Sequence, residues 1–218
     1  MKTRIPSLAA ALAALLLSAC CLFDPLYYKT METFGLQKRD LLASKVEKAR
    51  NAQTETCESF QSALERFSDV VSFDGGDLQK TYDRLSAELR RCESRAADLD
   101  DRISSVQDVA EALFKEWKSE LSQYKNKELR RDSEQKLRLT RERYDRMIDT
   151  MLAARKRVDP VLDVFRDQVL YLKHNLNASA LSALRGESDA LSANVQALLD
   201  DLAAATAEAD RFIATLSD

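Results

Sequence analysis

Apolar residues recur along this chain at alternating intervals of three and four from about residue 40 onward. That spacing places one stripe on one face of an α-helix. A first stripe runs through Val46, Gln53, Cys57, Phe60, Leu64, Phe67 and Val71. A second runs from Leu78 through Tyr82, Leu85, Leu89, Cys92, Ala96, Leu99, Ile103, Val106, Ala110 and Leu113 to Trp117, eleven unbroken steps. Such persistence predicts a coiled-coil-like helix. "SFDGGD" separates the two stripes: Gly75 and Gly76 break a helix, and Asp77 is placed to cap the next. The stripes mirror each other about this turn. Phe67 pairs with Tyr82, Phe60 with Leu89 and Cys57 with Cys92, the numbers of each pair summing to 149. An antiparallel helical hairpin is the expectation.

The second stripe ends near "YKNKEL", where continuing its phase would place Glu128, Arg131, Gln135 and Arg138 on the apolar face. A new phase starts with Leu129 and passes through Leu137, Thr140, Tyr144, Ile148, Met151, Arg155, Val158, Leu162, Phe165, Val169 and Leu172. It crosses Pro160 without a shift, which predicts a kink rather than a break. Asn126 and Asn177 sit where helix caps belong. A last stripe carries Leu181, Leu184, Leu191, Val195, Leu198, Leu202, Phe212 and Leu216. The expected fold is all-α: an elongated up-down-up-down four-helix bundle with helices at about 37–71, 78–124, 127–175 and 178–216. Four glycines and three prolines in 218 residues are too few turn-makers for a sheet-based fold. The segment 98–120 holds seven acids and three bases, and 125–146 nine bases and five acids. Folded back on one another, the two segments are expected to attract, which sets pairing preference more than stability.

The N-terminus reads differently. Lys2 and Arg4 precede an apolar run from Ser7 to Leu17, as in an export signal. Leu17-Ser18-Ala19-Cys20 resembles the bacterial lipobox, in which the cysteine is acylated and becomes the mature N-terminus. The expected organisation is a signal peptide at 1–19, a lipidated juxtamembrane linker at 20–36 and a helical bundle at 37–218. An uncleaved anchor or an ordinary secretory signal is the alternative for the first segment. Loss of residues 1–19 removes two of 33 bases and none of 36 acids, leaving a net charge of −5. Export and that balance argue against nucleic-acid binding. Position 21 is Cys rather than Asp. By resemblance to the sorting rule of Gram-negative lipoproteins, this favours the outer membrane, with the chain facing the periplasm.

Few residues suggest chemistry. Cys57 and Cys92, equidistant from the first turn, are expected to form a disulfide in an oxidising envelope. Two reduced stripe residues are the alternative. Closing this loop would stabilise by about 4 kcal/mol in the chain-entropy model. His174 is the sole histidine, and neither a Gly-x-Ser-x-Gly elbow nor a Glu-x-x-His pair occurs. No metal, cofactor or catalytic residue is expected. In the four-helix arrangement the first and third turns meet at the end away from the lipid. Asp74, Asp77, His174 and Asn177 are the candidates there for contact with a protein partner, with plain structural turns as the alternative. Lys125, Lys127, Arg130 and Arg131 lie at the other end. They would either face anionic lipid or form a solvated, self-paired surface. Self-association through exposed heptad faces stays open.

"METFGLQKRDLL", "FDGGDL", "VQDVAEALFKEW" and "FRDQVLYLKHNLNASAL" resemble segments of a bacterial lipoprotein family catalogued as a domain of unknown function (domain of unknown function 2959). The resemblance covers about residues 27–213. It implies an envelope protein of a Gram-negative bacterium and carries over no catalytic residue. The functional expectation is a membrane-tethered periplasmic scaffold or adaptor. The alternatives are a membrane-surface module or, further off, a metal-binding protein or enzyme at the distal tip.

Overall fold

The computed structural model describes residues 38–73 and 77–217. Residues 1–37, with Cys20 and the expected signal and linker segments, lie outside them, as does Asp74. The described chain is helical between short turns. Helix α1 spans Lys38–Val71, α2 Leu78–Glu120, α3 Lys127–His174 and α4 Ala178–Ser217. A single 3₁₀ turn, Leu121–Gln123, tightens the end of α2. Helix α1 packs on α2 and α4, and α3 packs on the same two. The four helices therefore form an up-down-up-down bundle around one apolar core.

The turns work as the local sequence requires. Each helix start leaves backbone N–H groups without intrahelical partners, and a short polar side chain can accept from them. The Asp77 carboxylate accepts from Lys80 N at 3.1 Å. The Asn126 amide oxygen accepts from Glu128 N at 2.8 Å and Leu129 N at 3.3 Å. The Asn177 amide oxygen accepts from Ala180 N at 3.0 Å. Helix α3 continues through Pro160 from Lys127 to His174. Its 48 residues extend about 72 Å at the usual rise.

The α4 stripe is buried as its spacing predicts, as is the α2 stripe from Leu85 to Leu113, whereas Leu78, Tyr82 and Trp117 at its ends and Leu129 at the start of the α3 stripe are half-buried or exposed. The α1 stripe differs. The buried line passes through Leu42, Val46, Ala49, Gln53, Thr56, Phe60, Ala63, Phe67 and Val70, again in alternating steps of four and three. Thr56 and Ala63 occupy places that the apolar pattern assigned to Cys57 and Leu64, which are only partly buried. Thr56 can sit inside because its hydroxyl donates to the Ala52 carbonyl at 2.8 Å. Two aromatic groups fill the core toward its ends. Phe165 meets Phe60 and Phe67 with ring centroids 6.3 and 6.4 Å apart. Tyr144 meets Phe114 edge-on at 5.4 Å and Phe212 at 6.1 Å.

Charge pairing also departs from the expectation. Among the described residues, the basic stretch of α3 makes no ion pair with the acidic stretch of α2. It pairs along its own helix instead: Arg130 with Glu134, Lys136 with Asp132, Arg138 with Glu142 and Arg141 with Asp145, all near 3 Å. Side chains four apart on one helix meet with little ordering cost. The α2–α3 bridges lie further along. Arg155 forks onto both carboxylate oxygens of Asp100 at 2.6 and 2.7 Å and also reaches Asp159 at 2.9 Å. Arg166 reaches Glu93 at 2.7 Å. Burial opposes the Arg155 charge, but the bonds it donates to Asp100 and Asp159 outweigh this and raise its pKa. The one charged residue on the third stripe is thus an inter-helix clasp.

Gln53 is fully buried, and neither its amide oxygen nor its amide nitrogen has a hydrogen-bond partner. Leaving such a group unpaired costs roughly 1–3 kcal/mol. Gln53→Met keeps the side-chain length and removes both unpaired atoms. It should raise stability by about 1 kcal/mol or more, read as a higher urea midpoint at unchanged slope. Gly186 lies inside α4, and a Cβ added there would meet nothing within 4 Å. Gly186→Ala should therefore add up to about 1 kcal/mol.

Candidate functional site

The expected tip residues lie at one end of the bundle but make no common cluster. Asp77 caps α2, Asn177 caps α4 and His174 closes α3. No hydrogen bond or ion pair joins the three among the described residues. What the structure builds at this end is a groove between α3 and α4 of about 590 Å³. Leu170, Tyr171 and His174 form its α3 wall, and Ala183, Leu184 and Glu187 its α4 wall. Leu170 is 57% exposed and Tyr171 41% exposed. Both fall off the third stripe, so the burial pattern gives no warning of them.

The first turn is held from across the bundle. The Arg185 guanidinium donates to the Val71 carbonyl and, at 3.4 Å, to the Phe73 carbonyl. These are orphan acceptors at the end of α1, where the last turn carries no base of its own. Nothing in the spacing around Arg185 signals this role, because its partner lies 114 positions away.

At the opposite end the α2–α3 turn is closed by the Trp117 indole, which donates to the buried Ser133 hydroxyl at 2.8 Å. Lys125, Lys127, Arg130 and Arg131 are exposed there. Arg130 is paired with Glu134, whereas the other three make no ion pair among the described residues. Lys38, at the start of α1, lies 2.7 Å from Glu116 of α2. Helix α1 therefore starts at this end of the bundle.

Cys57 and Cys92 are free thiols in the structure, without the expected disulfide. The register explains their separation. Glu55 and Thr56 both meet Arg95, at 2.5 and 3.5 Å, pairs whose numbers sum to 150 and 151 rather than 149. Interlocking side chains stagger the two stripes. The hydroxyl beside the Cys92 thiol is then Ser59, and Cys57 is turned to the flank. Burial, followed by the Glu88 carboxylate, pushes the Cys92 thiol up to about 12. Burial also raises Cys57, with Glu58 adding to the effect. Both shifts disfavour the thiolate, which is the reactive form. Among the described residues, no three His, Cys, Asp or Glu side chains gather as metal ligands would. Nor is any described helix long and apolar enough to cross a membrane.

These features define a long antiparallel helical bundle with an apolar groove at one end and a basic turn at the other. The chain belongs to the family described as "Protein of unknown function (DUF2959)", whose model matches residues 27–216. No curated protein and no solved structure matches it.

The buried thiol predicts a pH dependence. An unfolded thiol ionises near 9, while folded Cys92 keeps its proton to about 12. A folded-state pKa raised in this way gives stability that is intact below pH 9 and lost as the pH rises toward 12. Tyr144, raised by burial from 10 to about 12, acts in the same direction. The melting temperature should fall steadily above pH 9, and Cys92→Ala with Tyr144→Phe should flatten that slope.

Proposed function

We propose that this protein is a membrane-tethered scaffold of the cell envelope, without catalytic activity, that offers one end of its bundle to a protein partner. The observation that carries this reading is the groove between α3 and α4. A bundle that buries most of its stripe residues leaves Leu170 and Tyr171, neighbours on α3, largely in water. Large apolar residues exposed together at the end of a rigid element suit a partner's surface. The tether rests on the lipobox-like sequence ending at Cys20. The spacing rests on α2, whose 43 residues separate the two ends by about 65 Å. Lipid would supply the location and the bundle the reach.

A second reading, contact with anionic lipid at the α2–α3 turn, is favoured by the absence of an ion pair at Lys125, Lys127 and Arg131 among the described residues. Photo-crosslinking in living cells separates the two. A probe at Tyr171 should capture a discrete protein that a probe at Lys127 does not. Tyr171 is exposed, so Leu170→Glu beside it should abolish capture while leaving the circular dichroism spectrum unchanged. Adducts from Lys127 alone would contradict the scaffold reading.

A further inference from the structure

A second groove, of about 650 Å³, runs along the outer face between α2 and α3 at the end where α1 starts. Phe114, Leu121 and Leu137 form its floor. From Glu111 to Leu121 it follows ten residues of α2, about 15 Å of helix. Four cations stand along it, Lys115 and Lys118 on α2 and Arg138 and Arg141 on α3. The Arg141 guanidinium lies over the Phe114 ring, 4.9 Å from its centroid, and donates to Asp145 at 2.9 Å. Arg138 donates to Glu142 at 2.9 Å. Two carboxylates also border the groove. Glu134 is engaged by Arg130, while Glu111 makes no ion pair among the described residues. Lys115 and Lys118 likewise make none. Their ammonium groups are exposed, in the same part of α2 as the apolar floor.

We infer that this groove binds one anionic phospholipid, an acyl chain lying along Phe114, Leu121 and Leu137 and the head group meeting Lys115 and Lys118. The floor is one residue wide on each helix. A docking helix would need a broader row of anchors at spacings of three and four. An acyl chain needs only a strip. Lys115 and Lys118, which make no ion pair among the described residues, complement an anionic head. The inference rests on the lipid reading of this end and sharpens it to a defined site. It is independent of the scaffold reading, whose groove lies at the opposite end.

The test uses the full chain reconstituted in vesicles carrying photoreactive phosphatidylglycerol or, separately, photoreactive phosphatidylcholine, with adducts mapped by mass spectrometry. Adducts within 111–121 and 134–141 from phosphatidylglycerol, about tenfold weaker in Lys115→Gln with Lys118→Gln, are expected. Both lysines are exposed, so the variant should keep its helical content. Equal labelling by the two lipids would overturn the inference. So would phosphatidylglycerol adducts confined to residues 121–131, an outcome that spares the broader lipid reading. Loss of any phosphatidylglycerol preference along the chain would remove both. Protein–protein crosslinks at 111–121 in place of lipid adducts would assign the groove to a second copy or to the N-terminal segment, and would also overturn it.

Discussion

An apolar stripe sustained over forty residues must be buried over forty residues, and the rest of this structure depends on that requirement. A helix carrying such a stripe is unstable alone in water, since its packing rather than its propensity holds it. Four stripes of similar length, joined by turns too short to do anything but reverse direction, leave one arrangement that covers them all. The result is a long ring of helices, each antiparallel to both neighbours. Ala49, Ala96, Ala154 and Ala205, one from each helix, are buried in the core, and side chains this small let helices pack closely. The polar clasp of Arg155 on Asp100 then fixes the α2–α3 register that a uniform apolar seam would leave free to slip.

What the sequence made readable was local. The three caps, the four helix spans and the direction of each turn follow from side chains within a few positions of the backbone they serve. The α1 seam was harder to place. Thr56 and Ala63 look like poorer core residues than Cys57 and Leu64, and only the hydroxyl bond from Thr56 to Ala52 makes the buried threonine affordable. With that one-residue rotation Cys57 sits partly exposed beside the seam, and both it and Cys92 are free thiols. The charge prediction failed for a related reason. Opposite charges on two helices compete with opposite charges four residues apart on the same helix, and the closer partners win. Arg185, Leu170 and Tyr171 left no trace in the pattern because their role depends on what lies beside them in space.

The two ends of the bundle are chemically unlike. One carries an apolar groove and a turn secured by Arg185. The other carries cations, the Trp117–Ser133 closure and the start of α1. Between them the surface is a lattice of ion pairs within and between helices, each of little individual weight. That polarity suits a molecule that stands between a membrane and something else. In the proposed reading, the long charged shaft sets distance and the ends make contact.

Orientation is the central claim, and energy transfer to the membrane measures it most directly. A donor fluorophore is placed at Asn177 or at Lys127 of the full chain, produced with the acylation proposed at Cys20, on vesicles containing acceptor-labelled lipid. The account predicts strong transfer from Lys127 and almost none from Asn177, because the ends lie about 65 Å apart along the helix axis. Equal transfer from both positions would mean that the bundle lies flat on the bilayer, and would contradict the account.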